Sequence, residues 1–79
     1  MKISVLSLQG VEFEREAAGF NVKTTSGEIT VLDHHRPLVT ILKSGTASII
    51  KEDGSRTALE IKSGFLEMNS ENELSVLIS

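Results

Sequence analysis

The chain has 79 residues, of which 39% are hydrophobic and 24% are charged, with a net charge of −3 and no cysteine. This length allows one domain with a small core, and the composition is typical of a globular protein. The lack of cysteine excludes disulfides and thiolate metal sites. No apolar run is long enough to span a bilayer and no signal peptide is recognisable, which favours a protein made and kept in the cytoplasm.

Charged residues are scattered along the chain without a block of one sign, and the only aromatic residues are three Phe. Nucleic-acid binding needs a basic patch, and single-strand binding also needs aromatic side chains for stacking. The sequence therefore argues against a nucleic-acid partner.

Short apolar or alternating segments follow one another along the chain, separated by turn residues, and they predict eight or so short strands. Residues 38–42 form either a further strand or an extended run after Pro37. The clearest alternation has Phe20, Val22 and Thr24 on one face. The segments are 3–8, 11–14, 18–24, 29–32, 38–42, 46–51, 56–62, 65–68 and 74–78.

Two places in this pattern need comment. Residues 14–18 consist of good helix formers, but the window between Gly10 and Gly19 is short for a stable helix, so a strand is favoured. Asp53-Gly54 is a strong hairpin signal between two strands. The regular spacing of turns predicts one all-β domain over residues 1–79, an antiparallel sandwich or small barrel.

Both histidines lie beside the only proline, which makes this segment the first place to look for catalysis. Neighbouring side chains of an extended chain point to opposite faces, so His34 and His35 cannot readily share a metal. Asp33 with His35 gives two ligands, fewer than the three of a catalytic zinc site. No nucleophile elbow or P-loop is present. A small metal-dependent or hydrolytic enzyme centred on these three residues remains an alternative.

Several motifs occur in a recognisable order. They are GVEFERE from Gly10, GEITVLDHHRPLVTILKSG from Gly27, SGFLEM from Ser63 and NELSVL from Asn72. Together they resemble the N-terminal domain of the epsilon subunit of F-type ATP synthases, which is called delta in mitochondria. The resemblance covers the whole chain.

The chain departs from the family pattern at several points. Asp33-His34 stands where the family has Pro-Gly, so His35 matches the family histidine and the local turn is expected to differ. Ser63-Gly64 lacks one glycine of a Ser-Gly-Gly motif, and residues 7–10 differ from the usual Thr-Pro-Glu-Gly. The inhibitory C-terminal helices of the family have no counterpart in these 79 residues, so we expect that brake to be lacking.

The resemblance implies a flattened antiparallel β-sandwich of about ten short strands. It also implies a non-catalytic part of the central stalk, which links the gamma subunit to the c ring and couples ion-driven rotation to ATP synthesis. No cofactor, metal, nucleic acid or small-molecule substrate is expected. The implied location is peripheral, on the cytoplasmic side of a bacterial inner membrane.

The resemblance carries over two groups of site residues. Glu28 and His35 are expected to contact the c ring, and Pro37, Leu38 and Thr40 to lie at the interface with gamma and the ring. Each has a plainer interpretation: Pro37 sets the shape of an extended stretch, Thr40 alternates in a strand, and Glu28 is simply solvated. An unrelated β-sandwich module that binds peptides along an open strand edge is the alternative function.

Overall fold

The computed structural model describes residues 1–79 and consists of strands and turns. It contains no helix that could cross a membrane. The nine strands are β1 (Lys2–Ser7), β2 (Gly10–Glu16), β3 (Gly19–Thr24), β4 (Gly27–Leu32), β5 (Leu38–Leu42), β6 (Gly45–Ile50), β7 (Arg56–Ile61), β8 (Gly64–Met68) and β9 (Glu73–Ile78).

The strands form one curled sheet with two layers. The order β2-β1-β9-β8-β5 makes the first layer, and β4-β3-β6-β7 makes the second. The layers are joined where β3 meets β5 at a single pair, Thr24 and Leu42. The predicted all-β sandwich is therefore confirmed, with nine strands rather than about ten.

One strand pair differs from the antiparallel prediction. β1 and β9 run parallel, with Ile3 opposite Leu74 and Val5 opposite Val76, whereas all other pairs are antiparallel. The first and last strands of the chain thus lie side by side inside the first layer. A sequence pattern of period two gives the face of each strand but carries no information about the direction of its partner.

The core lies between the two layers and is built from the alternating inward residues of both. Phe20 is its largest fully buried side chain. Burying a side chain of this size contributes about 1.5–3 kcal/mol, so the alternating pattern supplies most of the driving force for folding. The other core residues are Met1, Ile3, Val5, Ala17, Val22, Val31, Leu42, Ala47, Ile49, Ile61, Leu66, Met68, Leu74 and Val76.

Two local predictions concern β2 and the β6–β7 turn. The segment of helix formers is a strand, because β2 runs from Gly10 to Glu16 and pairs with β1 along its length. Asp53-Gly54 does lie in a hairpin, in which the Gly54 amide donates to the Lys51 carbonyl at 2.9 Å. Gly54 has a φ of 88°, which explains the glycine at this position.

Candidate docking surface

The residues predicted to form the site occupy β4, β5 and the connection between them. Glu28 is exposed near the start of β4, next to the β3–β4 turn. His35 and Pro37 are exposed in the docking loop, residues 33–37, which follows the far end of β4. The strand places about 13 Å between Glu28 and Leu32, since each residue adds about 3.3 Å. The structure therefore puts Glu28 and His35 at opposite ends of β4.

Leu38 and Thr40 lie on β5, where both are only partly exposed because their side chains share a face with the buried Leu42. The residues between them point outward: Val39 is 70% exposed and Ile41 62%. A strand with one solvated face normally turns its polar residues to water, and β5 does the opposite. This reversal indicates that the outer face of β5 is built to be covered.

Exposed apolar residues, with the half-buried Leu6 among them, continue across the first layer as an outer apolar row. The strand registers place Ile41 opposite Phe65, Phe65 opposite Leu77, Leu77 beside Leu6, and Leu6 opposite Val11. The row thus crosses five strands, or about 19 Å at the usual strand spacing. Contiguous exposed apolar residues of this kind mark interaction surfaces.

A polar row borders the outer apolar row on one side. Two residues along β8, β9 and β1 from the apolar positions, and three along β2 because of a bulge, lie Glu67, Ser75, Ser4 and Glu14, in register with one another. On β5 the exposed Val39 lies opposite Glu67 and extends the apolar surface into this row. The Ser4 hydroxyl donates to Glu14 Oε2 at 3.4 Å. From β8 to β2 the outer face of the first layer is therefore divided into an apolar strip and a polar strip, and a polar border beside an apolar surface is typical of an interface.

Glu28 belongs to a separate, charged surface at the β3–β4 turn. A shallow depression there is lined by Lys23, Thr24, Gly27, Glu28 and Lys43. The Asn21 side chain donates to Glu28 Oε2 at 3.1 Å and so holds the carboxylate. The ion pairs of the domain lie elsewhere, so both lysines and Glu28 keep their charges available.

Asp33 has a structural role at the start of the docking loop. Its Oδ1 accepts hydrogen bonds from the Met1 α-amino group and from Asn72 Nδ2, both at 2.7 Å. The pKa of Asp33 is lowered, chiefly by the bond from Met1 and next by the bond from Asn72. The bond to Asp33 in turn raises the pKa of the Met1 amino group. The pair ties the start of β1 to the docking loop.

The two histidines do not converge with Asp33 on one point. His34 Nε2 lies 3.7 Å from Asp33 Oδ2 and its ring is 78% exposed, whereas His35 Nδ1 contacts the Arg36 carbonyl oxygen at 2.8 Å. No three His, Asp or Glu side chains are arranged to hold a metal ion. The structure therefore gives no support to the metal-dependent enzyme that was the sequence alternative.

The departure from Pro-Gly has a visible consequence at His34. Its φ is 61°, in the left-handed region that glycine enters freely and other residues rarely adopt. The chain thus makes a tight turn here with a histidine, and the His35 amide donates to the Leu32 carbonyl at 3.1 Å.

Sequence reasoning missed the exposed Val39 and the outer apolar row, which includes Ile41. Residues 38–42 are apolar on both faces, so their alternation does not say which side is buried. The only polar member of the run, Thr40, would by the usual rule point outward. The available signal is the number of apolar residues in β5, which is larger than one buried face requires.

Comparison with known proteins decides the family. The sequence model of one protein family, the β-sandwich domain of ATP synthase delta/epsilon chains, matches residues 1–79 of this chain. The chain belongs to this family. It is 34% identical over 71 residues to an ATP synthase epsilon chain from Sulfurovum sp., covering 90% of this chain and 56% of that one. It is 31% identical over 68 residues to the mitochondrial ATP synthase subunit delta of Yarrowia lipolytica, covering 86% and 42%.

Solved structures show the same fold. A chain of the Euglena gracilis mitochondrial ATP synthase, in a structure of OSCP, F1 and the c-ring, superposes with a TM-score of 0.90 at 22% identity, covering 96% of this chain and 48% of that one. A chain of the Tetrahymena thermophila mitochondrial ATP synthase central stalk and c-ring gives 0.84 at 10% identity, covering 99% and 62%. The chain thus spans about half the length of the family members it matches.

Proposed function

We propose that this chain is a rotor subunit of an F-type ATP synthase, which links the gamma subunit to the c ring. The family assignment over all 79 residues carries this proposal. The fold is also that of chains in solved assemblies of the F1 head, central stalk and c-ring. In this role the chain transmits rotation driven by ion flow to the catalytic head and performs no chemistry itself.

The two surfaces suit two different partners. The outer apolar row is broad and rimmed with polar residues, which fits a stable contact with a folded subunit such as gamma. The depression around Glu28, with Lys23 and Lys43 beside it, fits a polar and charged contact such as the exposed loops of a c ring. Charged contacts of this type mainly direct association and fix register. We assign the first surface to gamma and the second to the ring.

The docking loop extends the proposed interface. His35 and Pro37 lie beyond the opposite end of β4 from Glu28, so Glu28 and His35 would contact a c ring at two separate points of its surface. We propose that His35 and Pro37 contact the edge of the gamma or ring surface. Leu38 and Thr40 act by supporting β5 from the inner face, while Val39 and Ile41 make the contact.

The proposed location follows from the assembly. The chain is peripheral to the membrane and is held there through the rotor. Relatives come from bacteria and from mitochondria, so the cytoplasmic side of a bacterial inner membrane stays a prediction from the sequence.

Co-expression with the gamma subunit and c ring of the same organism tests the proposal. Purification through a tag on this chain should recover gamma and the ring in constant ratio. Recovery of the free chain alone at low salt, with all three proteins expressed and folded, would refute the rotor role.

A peptide-binding module is the second candidate, and one observation favours it. The Thr25 amide donates to the Ile41 carbonyl at 3.1 Å, so the backbone groups of Ile41 face β3. Those of Val39, two residues earlier, point the same way, but β3 pairs with β5 only through Thr24 and Leu42. This open edge could add a strand from a partner. Binding of an extended peptide, without binding of gamma, would favour this function.

A further inference from the structure

Two residues other than glycine adopt a left-handed backbone, and they contact each other across the domain. His34 has a φ of 61° in the docking loop, and Asn72 has a φ of 62° before β9. The His34 amide donates to Asn72 Oδ1 at 2.7 Å. Only a few per cent of residues other than glycine adopt this backbone conformation, and asparagine and histidine are among the types enriched there.

The Asn72 side chain uses both of its polar ends on the docking loop. While its Oδ1 accepts from the His34 amide, its Nδ2 donates to Asp33 Oδ1 at 2.7 Å. The backbone carbonyl oxygen of Asn72 also accepts a hydrogen bond from the Lys2 amide at 3.2 Å. One side chain therefore holds two successive residues of the loop at the point where the chain reverses.

Side-chain packing does not fix the conformation of the docking loop. Residues 32–37 are all exposed, so the docking loop buries no side chain that would fix its conformation. Within the loop itself, the turn rests on the bond from the His35 amide to Leu32 and on the ring contact between His35 and Arg36. From outside, the Met1 amino group holds Asp33 and the Asn72 side chain holds Asp33 and His34, and a loop with so few anchors depends on each of these hydrogen bonds.

We propose that Asn72 is the positioning residue of the docking loop. By holding His34 in the left-handed conformation it sets the direction in which His35 and Pro37 project, and so prepares the loop for its partner. Preorganisation of this kind raises affinity because the loop need not be ordered on binding. The proposal rests on the proposed rotor function for its partner, but the positioning itself concerns the isolated chain.

The substitution Asn72→Gly tests the proposal, since glycine accepts the same backbone conformation and removes the side chain that makes both bonds to the loop. Amide hydrogen exchange in the whole chain should show the His34 amide exchanging about fivefold faster, as expected for the loss of one ordinary hydrogen bond. Affinity for the complex of gamma and c ring should fall by a similar factor. Global stability, measured by urea unfolding, is followed in parallel.

Two further variants separate positioning from general loosening. Asn69→Gly is the matched control, because the Asn69 side chain accepts from the amides of Glu71 and Glu73 in the same turn without touching the loop. It should leave His34 exchange and partner affinity unchanged. His34→Gly removes the need for the left-handed histidine, so adding Asn72→Gly to it should cost less affinity than Asn72→Gly alone.

The outcomes are distinct. Unchanged His34 exchange in Asn72→Gly, or an equal effect of Asn69→Gly, overturns the proposal. Faster exchange with unchanged affinity for gamma and the ring also overturns it, since the loop would then not need to be preorganised. If the unmodified chain binds neither gamma nor the ring, the rotor function fails, while the exchange measurements still decide whether Asn72 positions the loop.

Discussion

Replacing Ile41 with serine should weaken binding to gamma without weakening the fold. Ile41 is 62% exposed in the free chain, and full burial of an isoleucine side chain is worth about 1.5–3 kcal/mol. If binding covers that exposed part, the loss is about 1–2 kcal/mol, or about a 5- to 25-fold increase in Kd. The free energy of unfolding should change by no more than about 0.5 kcal/mol, because the side chain is already largely in water.

Titration calorimetry with purified gamma subunit would measure this change, and urea unfolding would measure stability. Leu8→Ser is the matched control, because Leu8 is 94% exposed in the β1–β2 turn and belongs to no strand. The Leu8→Ser variant should bind gamma with the same affinity as the unmodified chain. Equal affinity of Ile41→Ser and the unmodified chain would show that the outer apolar row does not face gamma.

Three other predictions follow from single positions. Glu28→Gln should weaken binding to the c ring by up to about fivefold, the value of an exposed ion pair, and the effect should vanish at high salt. Gly64→Ala should destabilise the domain by about 1–3 kcal/mol, because a methyl group there would overlap the backbone carbonyl oxygen of Leu77; thermal unfolding would report this. Asp33→Asn should remove an acid-sensitive part of stability. Since the pKa of Asp33 is lowered by Met1 in the folded chain, that part is present above the ordinary aspartate range and is lost as pH falls through the lowered pKa.

Control variants of this chain accompany the first two predictions, and the unmodified chain is the reference for the third. Glu52→Gln changes an exposed charge in the β6–β7 turn and should leave ring binding unchanged. Gly54→Ala places a methyl group where no atom lies within 4 Å, so it brings the backbone strain of a φ of 88° without a steric overlap and should destabilise the domain less than Gly64→Ala. Urea unfolding from about pH 5 downward compares Asp33→Asn with the unmodified chain; parallel pH profiles would contradict the role given to Asp33.

Local pattern predicted the strands well because each strand buries one face. Phe20, Val22 and Thr24 alternate with the half-exposed Asn21 and the exposed Lys23, and the structure buries all three. The same reasoning assigned β2 correctly despite its helix-forming residues. Where both faces are apolar, as in β5, alternation cannot identify the buried face, and so Val39 and Ile41 were overlooked.

The site could be predicted only in part, because its key contacts join residues distant in sequence. The resemblance pointed to the docking loop as a contact region, and that contact stays a prediction; in the structure His35 and Pro37 are exposed there. The bond between His34 and Asn72 spans 38 positions. No spacing rule relates such residues, and neither the left-handed backbone of His34 nor the support it receives could be read from the motif.

The position of β9 has a consequence for how the chain is made. In the first layer β9 lies between β1 and β8, so the earliest strand has no neighbour on that side until the last strand exists. During synthesis, β1 and β2 can form only a two-stranded hairpin, which is marginally stable in water. The first layer can therefore close only after Glu73–Ile78 has left the ribosome, because until then nothing joins β1 to β8.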